Sequence, residues 1–596
     1  MTSSGLEVGS VLLLDCLNEK RARLFEAPRR IIECRHIDGV RECLEKAEAE
    51  QCGGSFVAGF LAYELGFAFE PKLTKLWQHD GELLAWFGVY DRPRELPLDE
   101  ARELLAGTAG SHPAGLSSAD FEWQSERYDD AFRQVQRHLA AGDIYQVNLT
   151  MRAHYTHHGA AESNFLQLLE QQPVAYAAFL KLERQSILSL SPELFLQRTG
   201  DSLRTKPMKG TAPRGRTPDE DRMIAAALAK DPKQLAENTM IVDLMRNDLS
   251  RIARTGSVEV SGLCEVERYK SLHQMVSTVE ADLLPHVGFA GIIESLFPCG
   301  SITGAPKLSA MTIAHRLESS PRGVYTGSIG VLEPSGDFCF NVAIRTLVLR
   351  DDGTGIVGAG SGVVYDSAAS PEYDECRLKL NFMTGAQEHF DLFETMAFHP
   401  DEGFVLLERH LQRLKESAAY FGFSFDLEAT RALLSRHSES YATSKRVRCV
   451  LSSQGSLSVT ETDLPPSQPQ SAWKVALAKE TTSAKDRFLY HKTTRREFYD
   501  DARERYAALT GCQEVIFANE DGFLTEGSFT NLFLQRNGQL VTPALQHGLL
   551  PGTLRAGLLE HGLAYEGDLS IGDLRDAEAI YLGNSVRGLI PVEILH

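Results

Sequence analysis

The 596-residue sequence has no Cys-x-x-Cys pair, no block of lysine and arginine, and no apolar run long enough to span a bilayer. Each lack excludes something. Ten cysteines scattered singly argue against a disulfide framework and against a cysteine-based zinc site, and they point to a reducing cytoplasm. With 61 basic residues against 81 acidic ones the formal charge is -20, so nothing here would track a phosphate backbone and nucleic acid is not an expected partner. Met1 to Leu14 lacks a basic leader, and Val11 to Leu14 is too short for a signal peptide or a membrane span. No internal repeat is evident. Asn148-Leu149-Thr150 fits a sugar-acceptor sequon, which without secretion means nothing.

What is present is an ordinary globular composition, 43% apolar and 24% charged. A single core stops growing at about 250 to 300 residues, so this length implies at least two large domains. One dense set of motifs ends near residue 386 and an unrelated set begins near 390, which divides the chain into residues 1–386 and 387–596. Phe132, Val135 and Leu139 recur at helical spacing and predict a helix over Asp129 to Ala141, stopped by Gly142. Strand patterns run over Ile144 to Leu149, Ser186 to Leu190, Val324 to Leu332, Phe338 to Val348 and Ile356 to Tyr365. The first part therefore reads as α+β with an antiparallel core. In the second part Leu411, Leu414 and Ala418 mark a helix, Val447 to Val459 a hairpin turning at Gln454-Gly455, and Leu464 to Gln470 a linker between two lobes.

The chemistry begins with acids. Helical spacing puts Glu237 on a face with Ile241, Leu244 and Met245, and a carboxylate buried there needs a cation, either an arginine or a metal. In Ser370-Pro-Glu-Tyr-Asp-Glu-Cys376, Ser370 suits a helix N-cap and Pro371 the first helical position, which sets Glu372, Glu375 and Lys379 on one face. Acids in a first turn also serve simply as dipole partners. Gly358-Ala-Gly-Ser-Gly362 precedes a strand, not a helix, so it is no dinucleotide fingerprint, and Lys209-Gly210-Thr211 has the wrong order for a phosphate loop. Both suit close backbone approach to a small ligand.

Six ordered motifs carry a resemblance. Gly142-Asp-Ile-Tyr-Gln-Val-Asn148, Ser191-Pro-Glu193, Glu237 to Leu249, Gly300-Ser-Ile-Thr-Gly-Ala-Pro-Lys307, Tyr325-Thr-Gly327 and Gly360 to Asp366 resemble the chorismate-utilising enzymes over roughly residues 55 to 385. That family includes anthranilate, isochorismate and aminodeoxychorismate synthases, and it implies an antiparallel β-sandwich with flanking helices. By the resemblance Glu237 and Glu375 would hold Mg²⁺, a metal suited to few carboxylates plus water and substrate oxygens. Gly210, Thr211, Thr303, Tyr325, Arg345, Gly360, Ser361, Gly362 and Lys379 would bind chorismate, with Glu193 and His273 as acid/base groups. Lys209 stands where aminodeoxychorismate synthases have lysine and anthranilate synthases typically have alanine. It would attack the ring with loss of the 4-hydroxyl and then give way to ammonia, its free amine favoured by desolvation or by Lys206. Lys206, Met208 and Cys376 depart from the family's usual arginine, isoleucine and threonine.

In the second half, Phe390-Asp-Leu-Phe-Glu-Thr-Met396, Glu408-Arg-His-Leu-Gln-Arg-Leu414, Lys492-Thr-Thr-Arg495, Glu526-Gly-Ser-Phe-Thr-Asn-Leu-Phe533 and Gly548 to Arg555 resemble the two-lobed fold-type IV pyridoxal-phosphate enzymes. By that resemblance Lys492 would carry the cofactor and shuttle protons, and Glu526 would keep the pyridine nitrogen protonated. Arg413 and the helix start at Thr553 would hold the phosphate, although the family more often has threonine one place later, where this chain has Leu554. A surface lysine, a turn acid and a salt-bridging arginine would explain these residues singly, but not in this order. Asn584 to Val592 looks more like the lyase group than like branched-chain aminotransferases. Together the halves imply conversion of chorismate to 4-aminobenzoate by an aminodeoxychorismate synthase and an aminodeoxychorismate lyase. The alternative is an anthranilate or isochorismate synthase joined to a branched-chain or D-amino-acid aminotransferase. No glutaminase motif is visible, so ammonia would come from a separate glutamine amidotransferase subunit or free ammonium. The second family is commonly dimeric, which leaves a homodimer through the C-terminal domain open.

Overall fold

The computed structural model describes residues 5–77, 81–107, 114–269, 272–383, 390–464 and 472–595. Two compact units emerge, one formed by Met1–Ala212 with Ala227–Gln387, the other by Pro213–Ala226 with Glu388–His596. Of the junction at 386 to 390 only Phe390 is described, and the predicted linker beyond Leu464 lies outside the described residues.

The first unit is a sandwich of two antiparallel sheets. One runs Gly304–Ala305, Gln146–His158, Thr354–Val364, Thr346–Arg350, Gln185–Ser191, Tyr176–Lys181, Val11–Asp15, Arg21–Phe25 and Arg94–Pro97. The other runs Met208–Pro213, Leu272–Asp282, Ser202–Lys206, Leu194–Thr199, Phe338–Asn341, Ser328–Leu332, Phe56–Leu61, Ala85–Tyr90 and Arg30–Cys34. Val11, Phe25 and Ile187 of the first sheet and Phe60, Trp86 and Val331 of the second share one apolar layer between them. Each sheet then packs helices on its outer face. Tyr128 and Phe132 of Ser125–Ala141 and Ile313 of Lys307–Leu317 cover the first, while Ile241 and Met245 of Pro232–Ser250 and Ile292 of Phe289–Leu296 cover the second. This is the expected α+β sandwich.

The predicted helix at Asp129 begins four residues earlier, at Ser125, and ends as expected at Gly142, whose φ of 78° suits glycine. Two strand expectations need correction. Val324 to Gly327 is not strand, and Thr326 there takes a φ of 60°. Phe338 to Val348 is two strands, Phe338–Asn341 in one sheet and Thr346–Arg350 in the other. The chain crosses between layers at Arg345, with φ at 51°, and stays largely buried as it does so. An apolar run that changes sheets shows no break in its pattern, so the sequence could not show the crossing. Ser370 and Pro371 also sit two positions further into the helix than expected, because Ala368 is the N-cap of Ala369–Leu378.

The second unit holds a four-stranded sheet, Gly403–Phe404, Leu392–His399, Lys445–Leu451 and Leu457–Asp463, and a larger mixed sheet. The hairpin at Gly455 and the helix Leu407–Phe421 agree with the sequence reading. In the larger sheet, Leu524–Gly527, Glu514–Asn519, Trp473–Thr482, Gly588–Ile594, Ala579–Asn584 and Asn531–Arg536 close into a barrel, because Leu524–Gly527 also pairs with Asn531–Arg536. The closing pair is Glu526 with Asn531. Closure pairs Leu524–Gly527 on both sides and fixes Glu526 on a short, fully buried strand.

Arg322 of the first unit is 4% exposed, stacks on Tyr63 at 4.2 Å and donates to Glu318, the Ile302 carbonyl and the Asn148 carbonyl. Arg322→Ala would leave Glu318 a buried charge without its cation, and the first unit should lose about 3–5 kcal/mol, read from its denaturant midpoint.

Candidate active sites

The first site is assembled where the two sheets of the sandwich each contribute a strand. Lys209 stands on Met208–Pro213, its carbonyl accepting from Asn238 Nδ2 at 3.3 Å and the Gly210 carbonyl accepting from Gln274 Nε2 at 2.9 Å. Gly210 has a φ of 91°, a conformation that holds the strand close under Gln234 and Met275. On Thr354–Val364, a Cβ at Gly362 would lie 3.3 Å from Lys209 Nζ and 2.5 Å from Gln146 Nε2, so the glycine makes room for the lysine. Gly358 makes room in the same way for the Tyr325 ring, and Gly360 lies against the Leu149 carbonyl.

Electrostatics tie these groups together. Burial pushes the Lys209 ammonium below its ordinary pKa and the charge of Lys379 adds to this, while Glu193, Glu237 and Glu375 oppose it. Burial lifts Glu193 to about 7, against the Ser301 hydrogen bond and Lys209. Glu193 is 3% exposed, and its Oε1 has no hydrogen-bond partner among the described residues. Glu237 is also lifted by burial, with Glu372 and Glu375 reinforcing and Lys209 and Lys233 opposing. Lys379 Nζ donates to the Gly360 carbonyl at 2.7 Å and pairs with Glu375 at 2.6 Å. Lys379, not Lys206, is thus the cation beside Lys209; Lys206 pairs with Glu267 at 2.9 Å.

The remaining expected residues divide. Arg345 and Tyr325 are held in place with pKa values displaced by burial, the arginine's downward and the tyrosine's upward. His273 is 2% exposed on Leu272–Asp282. The Thr303 hydroxyl is committed to the Cys299 and Gly300 carbonyls, Ser361 Oγ meets Tyr128 Oη at 3.1 Å, and Thr211 is exposed beside Gln274. Of these three, the backbone is what remains for a ligand. Glu372, on the same helix face as Glu375, joins the acidic group with its Oε1 accepting from Ser367 at 2.8 Å.

Among the described residues no three His, Cys, Asp or Glu side chains are gathered as a metal cage. Mg²⁺ needs none, since one or two carboxylates with water and substrate oxygens suffice. Glu237 has Lys233 as its ion-pair partner at 3.9 Å and lies in a surplus of negative charge, which fits a divalent cation shared with Glu375.

The second site lies in the second unit around Lys492, whose Nζ is 4.7 Å from the Phe393 ring centroid. Burial lowers its pKa to about 7, with Arg413 and Arg496 adding to the shift and Glu394 and Glu526 opposing it. Burial lifts Glu526 to about 7. Tyr499 Oη donates to its Oε1 at 3.3 Å and Asn531 Nδ2 to its Oε2 at 3.4 Å. Arg413 is locked by Glu394 through two bonds of 2.8 and 2.6 Å and donates to the Pro551 carbonyl. His410 bridges onward, Nδ1 at 2.6 Å from Glu394, Nε2 at 2.9 Å from Ser585 Oγ and 3.2 Å from Thr553 Oγ1. Burial raises the Glu394 pKa, but Arg413 and His410 outweigh it and hold the carboxyl at about 2. Thr553 opens the helix Thr553–Glu560, and Gly552 before it is crossed closely by Asn531 Oδ1.

Pyridoxal phosphate fits these residues: a lysine that can shed its proton, an acid for the pyridine nitrogen, and an arginine with a helix start for phosphate. Glu394, His410 and Arg496 had no assigned role in the sequence reading. Glu394 and His410 do lie inside quoted motifs, whereas Arg496 carries no sequence signal beyond following Arg495.

Two half-buried lysines beside buried carboxylates, one on a sandwich and one on a closed barrel, mark the chain as an enzyme. Residues 11–385 match the chorismate binding enzyme family, and the chain belongs to it. Residues 391–595 match class IV amino-transferases. The chain is 40% identical over 342 residues to aminodeoxychorismate synthase component 1 of Escherichia coli, covering 54% of this chain and 75% of that one. It is 37% identical over 291 residues to an anthranilate synthase component 1 of Haloarcula marismortui, covering 48% and 58%. Anthranilate synthase component I from Streptococcus pneumoniae superposes with a TM-score of 0.52 at 25% identity, over 62% of this chain and 94% of that chain. No helix among the described residues is long and apolar enough to cross a membrane.

The raised acids have a stability signature. With a folded pKa of about 7 against an ordinary 4.5, Glu526 keeps its proton between pH 4.5 and 7 where the unfolded chain has lost it, so its contribution to stability falls as pH rises through that window. Glu526→Gln should flatten that part of the pH dependence of chemical denaturation of the cofactor-free second unit.

Proposed function

We propose that the first site aminates chorismate to 4-amino-4-deoxychorismate and that the second eliminates pyruvate from that product, leaving 4-aminobenzoate for folate synthesis. The carrying observation is Lys209, a lysine with a depressed pKa standing beside Gly362 and within the field of Glu193. Its free amine bonds the ring as the 4-hydroxyl departs, and Glu193, which near pH 7 is still partly protonated, donates the proton that makes the leaving group water. Ammonia then enters at the same carbon and the lysine leaves with the electrons of its bond. The source of that ammonia is a separate glutamine amidotransferase subunit or free ammonium. Arg345, Lys379, Tyr325 and the backbone of Gly360 to Gly362 would hold the dianion, with His273 beside Glu193 in acid/base work. Glu237 and Glu375 would hold Mg²⁺, whose Lewis acidity would act on substrate oxygens.

At the second site pyridoxal phosphate supplies an aldehyde for the new amine and an electron sink. Lys492, with its pKa near 7, would take the ring proton beside the amine, and Glu526 would keep the pyridine nitrogen protonated. Arg413 and the Thr553 helix start hold the phosphate. That release restores an aromatic ring is what favours elimination over amino transfer.

Incubation with chorismate, Mg²⁺, ammonium and pyridoxal phosphate should yield 4-aminobenzoate and pyruvate in equal amounts; anthranilate, or neither product, would overturn the assignment. Lys209→Ala should lower amination by about 10²-fold or more. Lys492→Ala should keep amination, stop pyruvate release and accumulate the amino intermediate. The acid form of Glu193 is lost as pH rises through about 7, so Glu193→Gln should remove a falling limb of kcat/KM near that pH and lower kcat by about 10²-fold.

A further inference from the structure

Fourteen residues of the first half pack as part of the second unit. Pro213–Ala226 follows directly on the strand bearing Lys209, yet it groups with Glu388–His596. Its contacts there are specific. Arg214 makes a bidentate pair with Asp221, at 2.7 and 2.8 Å, with both side chains about 5% exposed. Asp221 Oδ1 also accepts from the Gly215 amide at 2.9 Å, and a Cβ at Gly215 would lie 2.2 Å from the Asp221 nitrogen, so this knot requires glycine. The paired guanidinium lies over the Tyr420 ring at 4.5 Å and donates to the Tyr420 carbonyl at 3.2 Å, while Tyr420 Oη donates to the Gly215 carbonyl at 2.6 Å.

Tyr420 hands this contact on. Its other neighbour is His491, ring centroids 4.4 Å apart, the residue immediately before Lys492. Arg216 acts a few residues earlier, donating to the Ala484 carbonyl and to Tyr490 Oη, each at 3.3 Å, and Tyr490 Oη donates to the same Ala484 carbonyl at 2.9 Å. The Lys492 carbonyl accepts from the Phe393 amide at 3.1 Å, so the lysine is set from one side by the strand Leu392–His399 and from the other by the loop that Arg214 and Arg216 hold.

We propose that Pro213–Ala226 is a positioning element of the second site: Arg214, through Tyr420 and His491, and Arg216, through Tyr490, set the Ala484 to Lys492 loop and so the direction of the Lys492 amine. This rests on the reading of Lys492 as the cofactor lysine. None of these residues touches reacting atoms.

The test uses the full chain with two readouts. In cofactor-free protein, Arg214→Ala should raise amide hydrogen exchange over 484 to 492 by about tenfold or more, and Tyr420→Phe, which keeps the ring but loses the Gly215 bond, by less. In the pyridoxal-phosphate-loaded protein, Arg214→Ala should move the pH midpoint of the cofactor's visible absorbance and lower pyruvate release about tenfold, while amination stays within about twofold; Arg214→Lys should recover part of the loss. Unchanged exchange over 484 to 492, an unmoved midpoint, or an equal fall of both activities would overturn the inference. Absent cofactor absorbance in the unaltered protein would instead count against the function of the second site, and the exchange readout decides the positioning claim by itself.

Discussion

An amine attacks only when it has lost its proton, and both centres meet that constraint by taking a lysine out of water. Burial disfavours the ammonium at Lys209 and at Lys492 alike, and in each case a neighbouring cation adds to the effect, Lys379 at the first and Arg413 with Arg496 at the second. The same desolvation acts in the opposite sense on acids. Glu193 and Glu526 are both lifted to about 7 because burial outweighs the cations near them. Each site therefore holds a lysine shifted downward and a carboxyl shifted upward, displacements that separate exposed residues do not have.

The architectures that achieve this differ. In the first unit the lysine strand is one edge of a sandwich, and the strand Thr354–Val364 of the other sheet meets it only because glycine at 358, 360 and 362 leaves space for Tyr325, for the Leu149 backbone and for the lysine. In the second unit barrel closure does the work, pairing Glu526 with Asn531 and placing Asn531 against both the acid and the Gly552 helix start. Glu394 completes that site from the four-stranded sheet, compensating Arg413 and His410 at once. Desolvation of a lysine is the common element, and the fold is interchangeable beneath it.

Much of this was legible beforehand, and the exceptions have physical causes. Local signals served where the reason was local: Gly142 ends a helix by its left-handed φ, and the Gly358 to Gly362 run is strand, as its flanking valines suggested. Glu237 stands out in sequence because helical spacing puts a carboxylate on an apolar face, whereas Lys209, Lys492 and Glu526 stand out only through the ordered motifs that carry the family resemblance. The sheet change at Arg345 could not be read, since a chain that stays largely buried while crossing layers keeps its apolar pattern. Lys206 is near Lys209 in sequence but ends a different strand, Ser202–Lys206, where it pairs with Glu267, and Lys379, distant in sequence, arrives at the end of the helix Ala369–Leu378. The grouping of Pro213–Ala226 with the second unit is a long-range packing fact with no local signature at all.

The chemistry of the two sites also constrains what each half can be. On the proposed function, a lysine that displaced the 4-hydroxyl and yielded to ammonia would leave an amine on the ring, and the residues around Lys492 would hold a cofactor whose aldehyde chemistry suits primary amines. Loss of the proton adjacent to that amine would lead to an aromatic ring, so removal of the three-carbon side chain would be downhill in a way that returning the amine to a keto acid would not. Under that reading, a residue without an amine at 209 would not pass through this route, and the second site would face a different product. Under the proposed chemistry the identity of residue 209 in the sandwich therefore bears on the reaction expected at Lys492 in the barrel unit.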